Sequence, residues 1–160
     1  MATSELSSES SVRGPREAGG VWGRRLFLTG AWVMILCGVV HIGGHVGLSS
    51  GLPENETERQ LLGLMRSYTI ENVGRTMQEL LNGFSLAFVF LPVTLGVLCL
   101  AIAKARDARL MRQAALVAGL GMAAQSAVGL THWFWVPDSF LIPATLTFAA
   151  AWFLLPRERG

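Results

Sequence analysis

The chain contains long stretches with almost no charged side chains, and this pattern limits its fold more than any other feature. The runs from Leu26 to Leu48 and from Gly83 to Ala103 contain no Asp, Glu, Lys or Arg. A third run, from Leu110 to Trp135, holds only Arg112, and a shorter fourth, from Ser139 to Leu155, holds none. Because an α-helix of about 20 apolar residues crosses a bilayer, each run predicts one membrane span.

The composition agrees with a membrane protein. Charged residues are 15% of the 160 residues, against about 25% in a typical soluble domain. We therefore predict an all-α integral membrane bundle of four transmembrane helices within residues 21–156, with the lipid bilayer as its surroundings. The Ser-, Glu- and Gly-rich residues 1–20 predict a disordered cytoplasmic tail, and residues 157–160 a short second tail. The formal net charge of +2 gives no reason to expect a nucleic-acid partner.

The basic residues predict how the helices are oriented. Most of them flank one side of the predicted bundle: Arg13, Arg16, Arg24, Arg25, Lys104, Arg106, Arg109, Arg112, Arg157 and Arg159. The other side carries only three: Arg59, Arg66 and Arg75. Since basic residues concentrate on the cytoplasmic side, we expect a multi-pass protein of the inner (plasma) membrane with both termini in the cytoplasm.

The start of the first span resembles a secretion signal without fitting one. The motif RRLFL, from Arg24 to Leu28, is similar to the core of a twin-arginine signal. The apolar run that follows is too long for a signal core, and no good small-x-small cleavage site comes after it. We therefore expect an uncleaved first span.

The outer loop, residues 49–82, is the longest segment outside the predicted spans. TERQLLGLM predicts a short helix, and Thr57 and Gln60 have the spacing of a capping box. Farther along, apolar residues recur with helical spacing, which predicts that the second membrane helix begins outside the bilayer, near Val73. These residues are Val73, Met77, Leu80, Leu81 and Phe84.

Two histidines lie inside the first predicted span. At about 100° per residue, Met34, Cys37, His41 and His45 share one narrow stripe of the helix. These side chains are typical ligands of soft and borderline metals. His132 lies near the outer end of the third span, at a similar depth. The sequence therefore offers His41, His45 and His132 as candidate ligands of a transition metal or haem near the outer leaflet.

Other interpretations of these residues remain open. The histidines also suit a proton-handling cluster, a wet membrane interface, or a hydrogen bond to a neighbouring helix. Gln125 shares a face with His132, and with Glu79 and Cys37 it is a candidate for lining a pocket. Glu71, Glu79 and Asp138 are outer carboxylates that could join such a site, but solvated positions are the simpler expectation.

Small residues recur at four-residue spacing in two of the predicted spans. Gly43 and Gly47 form one pair, and the third span carries Ala115, Gly119, Ala123 and Ala127. Such stripes let helices approach closely in lipid. We expect them to pack within the chain, with a dimer face as the alternative.

One segment resembles a known family. GRTMQELLNGFSLAF, from Gly74 to Phe88, resembles a sequence in a family of uncharacterised small four-helix bacterial integral membrane proteins. His41 and the run WFWVP, from Trp133 to Pro137, also suit that family. The resemblance implies the four-span topology and no particular activity. It also marks three residues at the outer end of the second span as candidates for a functional role: Arg75, Glu79 and Ser85.

The sequence leaves three functions open. The first is a non-enzymatic accessory or interaction protein that contacts another membrane protein or a second copy of itself. The second is a histidine-based metal- or haem-binding protein of the outer leaflet. The third is a binder of, or enzyme for, a lipid-like small molecule, with His41, Gln125 and Glu79 around a cavity.

Overall fold

A computed structural model describes residues 15–50, 53–132 and 135–157, and side chains within 19–47, 53–132 and 135–157. In chain order its elements are α1 (Pro15–Ser50), α2 (Glu56–Ser67), β1 (Thr69–Ile70), β2 (Arg75–Thr76), α3 (Met77–Ala105), α4 (Ala108–His132) and α5 (Trp135–Leu154). The two short strands pair antiparallel. The prediction of an all-α fold is confirmed. Four helices, α1, α3, α4 and α5, are long and apolar enough to cross a membrane.

Several helix boundaries differ from those expected. The helix α1 begins at Pro15, so residues 15–20 are helical, although a disordered tail was predicted there. Residues 1–14 and 158–160 of the predicted tails lie outside the described residues. The helix α5 begins at Trp135 rather than Ser139. Pro137 does not delay that start, because the first turn of a helix needs no hydrogen bond from its N–H groups.

The outer loop folds into a short helix followed by a hairpin. The N-cap of α2 is Asn55, whose Oδ1 accepts a hydrogen bond of 2.8 Å from the backbone N–H of Glu58. Thr57, which was predicted to cap this helix, therefore lies within its first turn. The short helix and hairpin together fill the connection between the first two spans.

The second membrane helix begins at Met77, later than the predicted start near Val73. Gly74 has a φ of +64°, which reverses the chain and ends any helix that would pass through it. Thr76 then caps α3 in a capping box: its Oγ1 accepts from the N–H of Glu79, and the Glu79 carboxylate accepts from the N–H of Thr76.

The four long helices pack side by side in the order α3, α1, α5, α4. The helix α1 packs along both α3 and α5, and α4 packs chiefly along α5. Although α3 and α4 are consecutive and joined by a tight turn, they contact each other only slightly. The helices α3 and α4 are therefore the edges of the row, and α1 and α5 are its centre.

The packed core is one cluster of buried side chains from all four long helices. Its largest fully buried side chains are Phe27, Met34, Cys99 and Phe148. The rings of Phe27 and Phe148 meet edge to face, with centroids 5.7 Å apart and planes at 70°, an arrangement that aromatic pairs favour. Met34 of the predicted metal-binding stripe thus belongs to this core.

Glycines allow the closest approach of α1 and α3. A Cβ on Gly96 would lie 2.7 Å from the carbonyl oxygen of Ala31, and a Cβ on Gly38 would lie 2.7 Å from that of Val89. Around Gly43, no described atom comes within 4 Å of the Cβ position. The expectation that Gly43 packs within the chain is therefore wrong for the described residues, because the helices meet closest deeper in the bundle.

Arg112, the single charged residue of the third predicted span, has a defined position beside α5. Its Nε donates a hydrogen bond of 3.0 Å to the carbonyl oxygen of Trp152. Its guanidinium carbon lies 4.8 Å from the centroid of the Trp152 ring, a cation–π distance. These contacts compensate a cation within a membrane helix and join α4 to the centre of the row.

Packing becomes looser at the ends of α1 and α3 that adjoin the predicted outer loop, and these ends are called outer here. No described side chain is buried from Val39 to Gly47 in α1 or from Met77 to Phe88 in α3. The neighbouring pair α4 and α5 remains buried farther out, at Gly129 and Asp138. The outer halves of α1 and α3 therefore form a part of the bundle with little surrounding protein among the described residues.

Candidate functional site

Two imidazoles and one hydroxyl meet where α1 and α3 are loosely packed. His41 Nε2 lies 3.1 Å from Ser85 Oγ, and His45 Nδ1 lies 3.0 Å from the same oxygen. The two histidines are one turn apart on α1, so both rings reach the same neighbouring residue. All three side chains are half-buried. We refer to His41, Ser85 and His45 as the outer cluster.

The hydrogen bonds of the outer cluster are complementary in polarity. A serine hydroxyl donates one hydrogen and also accepts, and a neutral imidazole has one donor and one acceptor nitrogen. Ser85 can therefore donate to one histidine while it accepts the N–H of the other. The reverse arrangement requires only that both rings exchange tautomer and the hydroxyl turns. The cluster thus pairs one nitrogen of each neutral imidazole with the hydroxyl, and this pairing requires no charged group.

The surroundings of the cluster are aromatic and apolar. The centroid of the Phe88 ring lies 6.1 Å from that of His41, with the planes at 41°. Cys37, one turn deeper on α1, is half-buried and carries a free thiol. Cys99 is a second free thiol, in the core. The predicted stripe is thus divided: Met34 is in the core, whereas His41 and His45 face Ser85.

The third histidine has a different environment. His132 is the last residue of α4, its side chain is exposed, and its Nδ1 lies 2.6 Å from Oγ1 of Thr131. Within the described ranges, no three His, Cys, Asp or Glu side chains are arranged to hold a metal ion. The structure therefore brings His41 and His45 together but does not add His132 to them. A metal site made of all three histidines stays a prediction.

Of the predicted pocket residues, only Glu79 borders the groove that the structure describes. Glu79 caps α3, and its Oε1 is 3.7 Å from Nη1 of Arg75. Both side chains border an open groove of about 430 Å³ along the outer part of α3. The remaining described residues of this groove are Leu80, Gly83, Phe84 and Ala87. Gln125 is half-buried on α4, and neither it nor Cys37 borders the groove.

The sequence did not predict the burial of two polar side chains, Asp138 and Ser126. Asp138 was expected to be solvated, but its side chain is buried against α4, and Ser126 of α4 is buried as well. A signal for Asp138 was available: it precedes Leu141 and Ala144 at the three-residue spacing of the buried face of α5. It was missed because the fourth span was predicted to begin after Asp138.

Comparison with known proteins finds no relative of this chain. No family model, no curated protein and no solved structure matches the chain. The resemblance of Gly74 to Phe88 to small four-helix bacterial membrane proteins therefore stays a prediction.

Proposed function

We propose that this protein is a non-enzymatic accessory subunit that binds another transmembrane protein through the outer halves of α1 and α3. The observation that carries the proposal is the position of the outer cluster. His41, His45 and Ser85 are polar, lie near the outer ends of membrane-length helices, and are only half-buried. Polar groups inside a membrane usually face protein or water rather than lipid. A partner helix over this region would complete their burial.

The apolar side chains near the cluster support the same interpretation. Val39 and Ile42 are exposed on the outer half of α1, and Gly43 beside them leaves room for close approach. Small residues next to exposed branched side chains are common where transmembrane helices associate. The partner then contributes van der Waals packing, and the outer cluster fixes where along α1 the partner docks.

A photo-crosslinking experiment in native membranes tests this proposal. A photoreactive phenylalanine analogue replaces Val39 or Ile42 in the outer half of α1, and Trp32 or Leu36, which are also exposed, in the inner half. We expect one discrete product from the outer positions and none from the matched inner positions. Replacing Ser85→Ala in the same chains should abolish that product. A second copy of the chain as the partner would give a product of twice the monomer mass.

Two results would contradict the proposed docking region. The first is the same set of products from inner and outer positions. Both sets of positions would then be reacting nonspecifically with proteins that diffuse in the membrane. The second is an outer product that persists unchanged in the Ser85→Ala chain. Either result would show that the outer cluster is not part of the interface with the partner.

We also propose the inner membrane as the location, with both termini in the cytoplasm. The support is the distribution of basic residues, which places Lys104, Arg106 and Arg109 beside the α3–α4 turn. A cysteine in place of Asp107 should react with a membrane-impermeant maleimide only in opened cells. A cysteine in place of Glu71 should react in intact cells. The opposite pattern would invert the topology.

Binding of a transition-metal ion is a second candidate function, and the convergence of two ring nitrogens on one point favours it. Imidazole nitrogens bind zinc at about 2.0–2.1 Å, whereas His41 Nε2 and His45 Nδ1 lie 3.1 and 3.0 Å from Ser85 Oγ. An ion that took the place of this oxygen would need both nitrogens about 1 Å closer. His41 and His45 would be two ligands, and other groups would complete the coordination.

Metal analysis of the purified protein tests this second candidate. The protein is prepared in mild detergent without chelators, and its metal content and visible absorption spectrum are measured. Near-stoichiometric metal or a haem band that is lost in the His41→Ala/His45→Ala chain would support the site. The matched control, His132→Ala, should retain the signal. A colourless and metal-free wild-type protein would contradict metal binding.

A further inference from the structure

Two buried polar atoms without hydrogen-bond partners lie in the packing between α4 and α5. Asp138 of α5 is 5% exposed and Ser126 of α4 is 7% exposed. Neither Oδ1 of Asp138 nor Oγ of Ser126 has a hydrogen-bond partner among the described residues. Buried polar atoms in folded proteins nearly always have a partner. Two such atoms in one helix interface therefore point to a missing ligand.

The two side chains are related through Gly129 of α4. Asp138 lies directly over Gly129, because a Cβ on Gly129 would be 2.8 Å from the carboxylate carbon. Ser126 precedes Gly129 by three residues and is also buried on α4. Side-chain positions three residues apart on a helix are about 5–6 Å apart. Ser126 is thus the next position along α4 from the residue that the carboxylate contacts.

The electrostatics of this position favour a cation. An unpaired carboxylate is strongly disfavoured in an apolar interior, and no described ion pair involves Asp138. Gly129 lies in the last turn of α4, where the helix dipole is negative and the final carbonyl oxygens have no partner within the helix. The first turn of α5 favours the carboxylate itself. An anion held by α5 therefore faces the cation-attracting end of α4.

The charge and the donor atoms define the class of ligand. Carboxylate, hydroxyl and carbonyl oxygens bind hard cations. A single carboxylate balances one positive charge, whereas a divalent ion would leave an uncompensated charge in the interface. The location near the outer end of both helices also gives a short path from the outer aqueous phase.

We propose that Asp138 and Ser126 form a binding site for one monovalent alkali cation between α4 and α5. The Asp138 carboxylate provides the charge, Ser126 provides a neutral oxygen, and Gly129 provides the space in which the carboxylate sits. Binding of the cation adds a polar contact between the C-terminal end of α4 and the N-terminal end of α5.

Sodium binding to the full chain in detergent micelles tests the proposal. Equilibrium dialysis with radioactive sodium should show one saturable site per wild-type chain. The apparent midpoint of thermal unfolding should be higher in sodium chloride than in choline chloride of equal ionic strength, because a ligand that binds the folded state stabilises it. The Asp138→Asn chain should bind sodium at least tenfold more weakly, and Ser126→Ala should show a smaller, several-fold loss.

A matched control separates this site from general surface charge. Glu71, an exposed carboxylate of the outer loop, is replaced by Gln and should leave sodium binding unchanged. If Asp138→Asn fails to fold, cation binding by the wild-type chain and by Ser126→Ala still tests the proposal. The proposal is overturned if the wild-type chain shows no saturable binding of sodium or of rubidium, a radioactive stand-in for potassium, or if Ser126→Ala binds the cation as tightly as the wild type.

Discussion

Adding one methyl group at Gly38 or Gly96 should separate α1 from α3. In the Gly38→Ala chain, the new Cβ would lie 2.7 Å from the carbonyl oxygen of Val89 and would also overlap the Val93 side chain. In Gly96→Ala, it would lie 2.7 Å from the carbonyl oxygen of Ala31. Both obstacles include backbone, so rotation of a side chain cannot remove them.

The expected magnitude follows from two opposing effects. Overpacking a well-packed interior typically costs about 1–3 kcal/mol. Replacing a helical glycine by alanine returns about 1 kcal/mol of helix propensity. We therefore expect each substitution to lower the free energy of unfolding by up to about 2 kcal/mol. The effects of Gly38→Ala and Gly96→Ala should not add, because both move the same helix pair apart.

Unfolding in mixed micelles measures this effect. The purified chain is titrated from dodecylmaltoside into sodium dodecyl sulfate, and tryptophan fluorescence follows the loss of tertiary structure. The controls are Gly43→Ala on α1 and Gly83→Ala on α3, whose Cβ positions have no described atom within 4 Å. These chains should be at least as stable as the wild type. If the Gly38 and Gly96 variants unfold together with their controls, the close approach of α1 and α3 is refuted.

Three further predictions concern hydrogen bonds and backbone conformation. Ser85→Ala removes the hydrogen bonds to His41 and His45, and at about 0.6 kcal/mol for each interhelical bond it should lower the unfolding free energy in mixed micelles by roughly 1 kcal/mol; an unchanged curve would show that the bonds contribute nothing. Gly74→Ala forces a residue with a side chain to a φ of +64°, which costs about 1–2 kcal/mol. Its strands β1 and β2 should exchange amide hydrogens faster, while exchange in the membrane helices stays unchanged. Thr76→Ala removes the N-cap of α3, which contributes about 1 kcal/mol, and should speed exchange in the first turn of α3; wild-type protection there would contradict the capping role.

The membrane helices were predictable because their signal is local. Each predicted span has few charges over about the length that crosses a bilayer, and that property is independent of what the helix packs against. Boundaries that depend on turn geometry were less predictable. The start of α3 was placed near Val73 because apolar spacing continues through the loop. The left-handed conformation of Gly74 and the cap at Thr76 move the start to Met77.

The candidate site was only partly predictable, because helical spacing defines a face but not its partner. The spacing of His41 and His45 places them on one face of α1, as the structure has them. Nothing in the spacing indicates that this face meets Ser85 of α3 rather than His132 of α4. The row order of the helices decides that, and it arises from close contacts deep in the bundle, such as those of Gly38 and Gly96.

The row order also has a consequence for how the protein is made. The helices α1 and α3 are synthesised before α4, so their shared interface is available early. The helix α4 has few contacts with either, and its main partner is α5, which follows it in the chain. We therefore expect α4 to be without its main packing partner, with Ser126 uncovered, until α5 has been made. The synthesis of α5 then joins α4 to the pair formed by α1 and α3, because α5 packs along both α1 and α4.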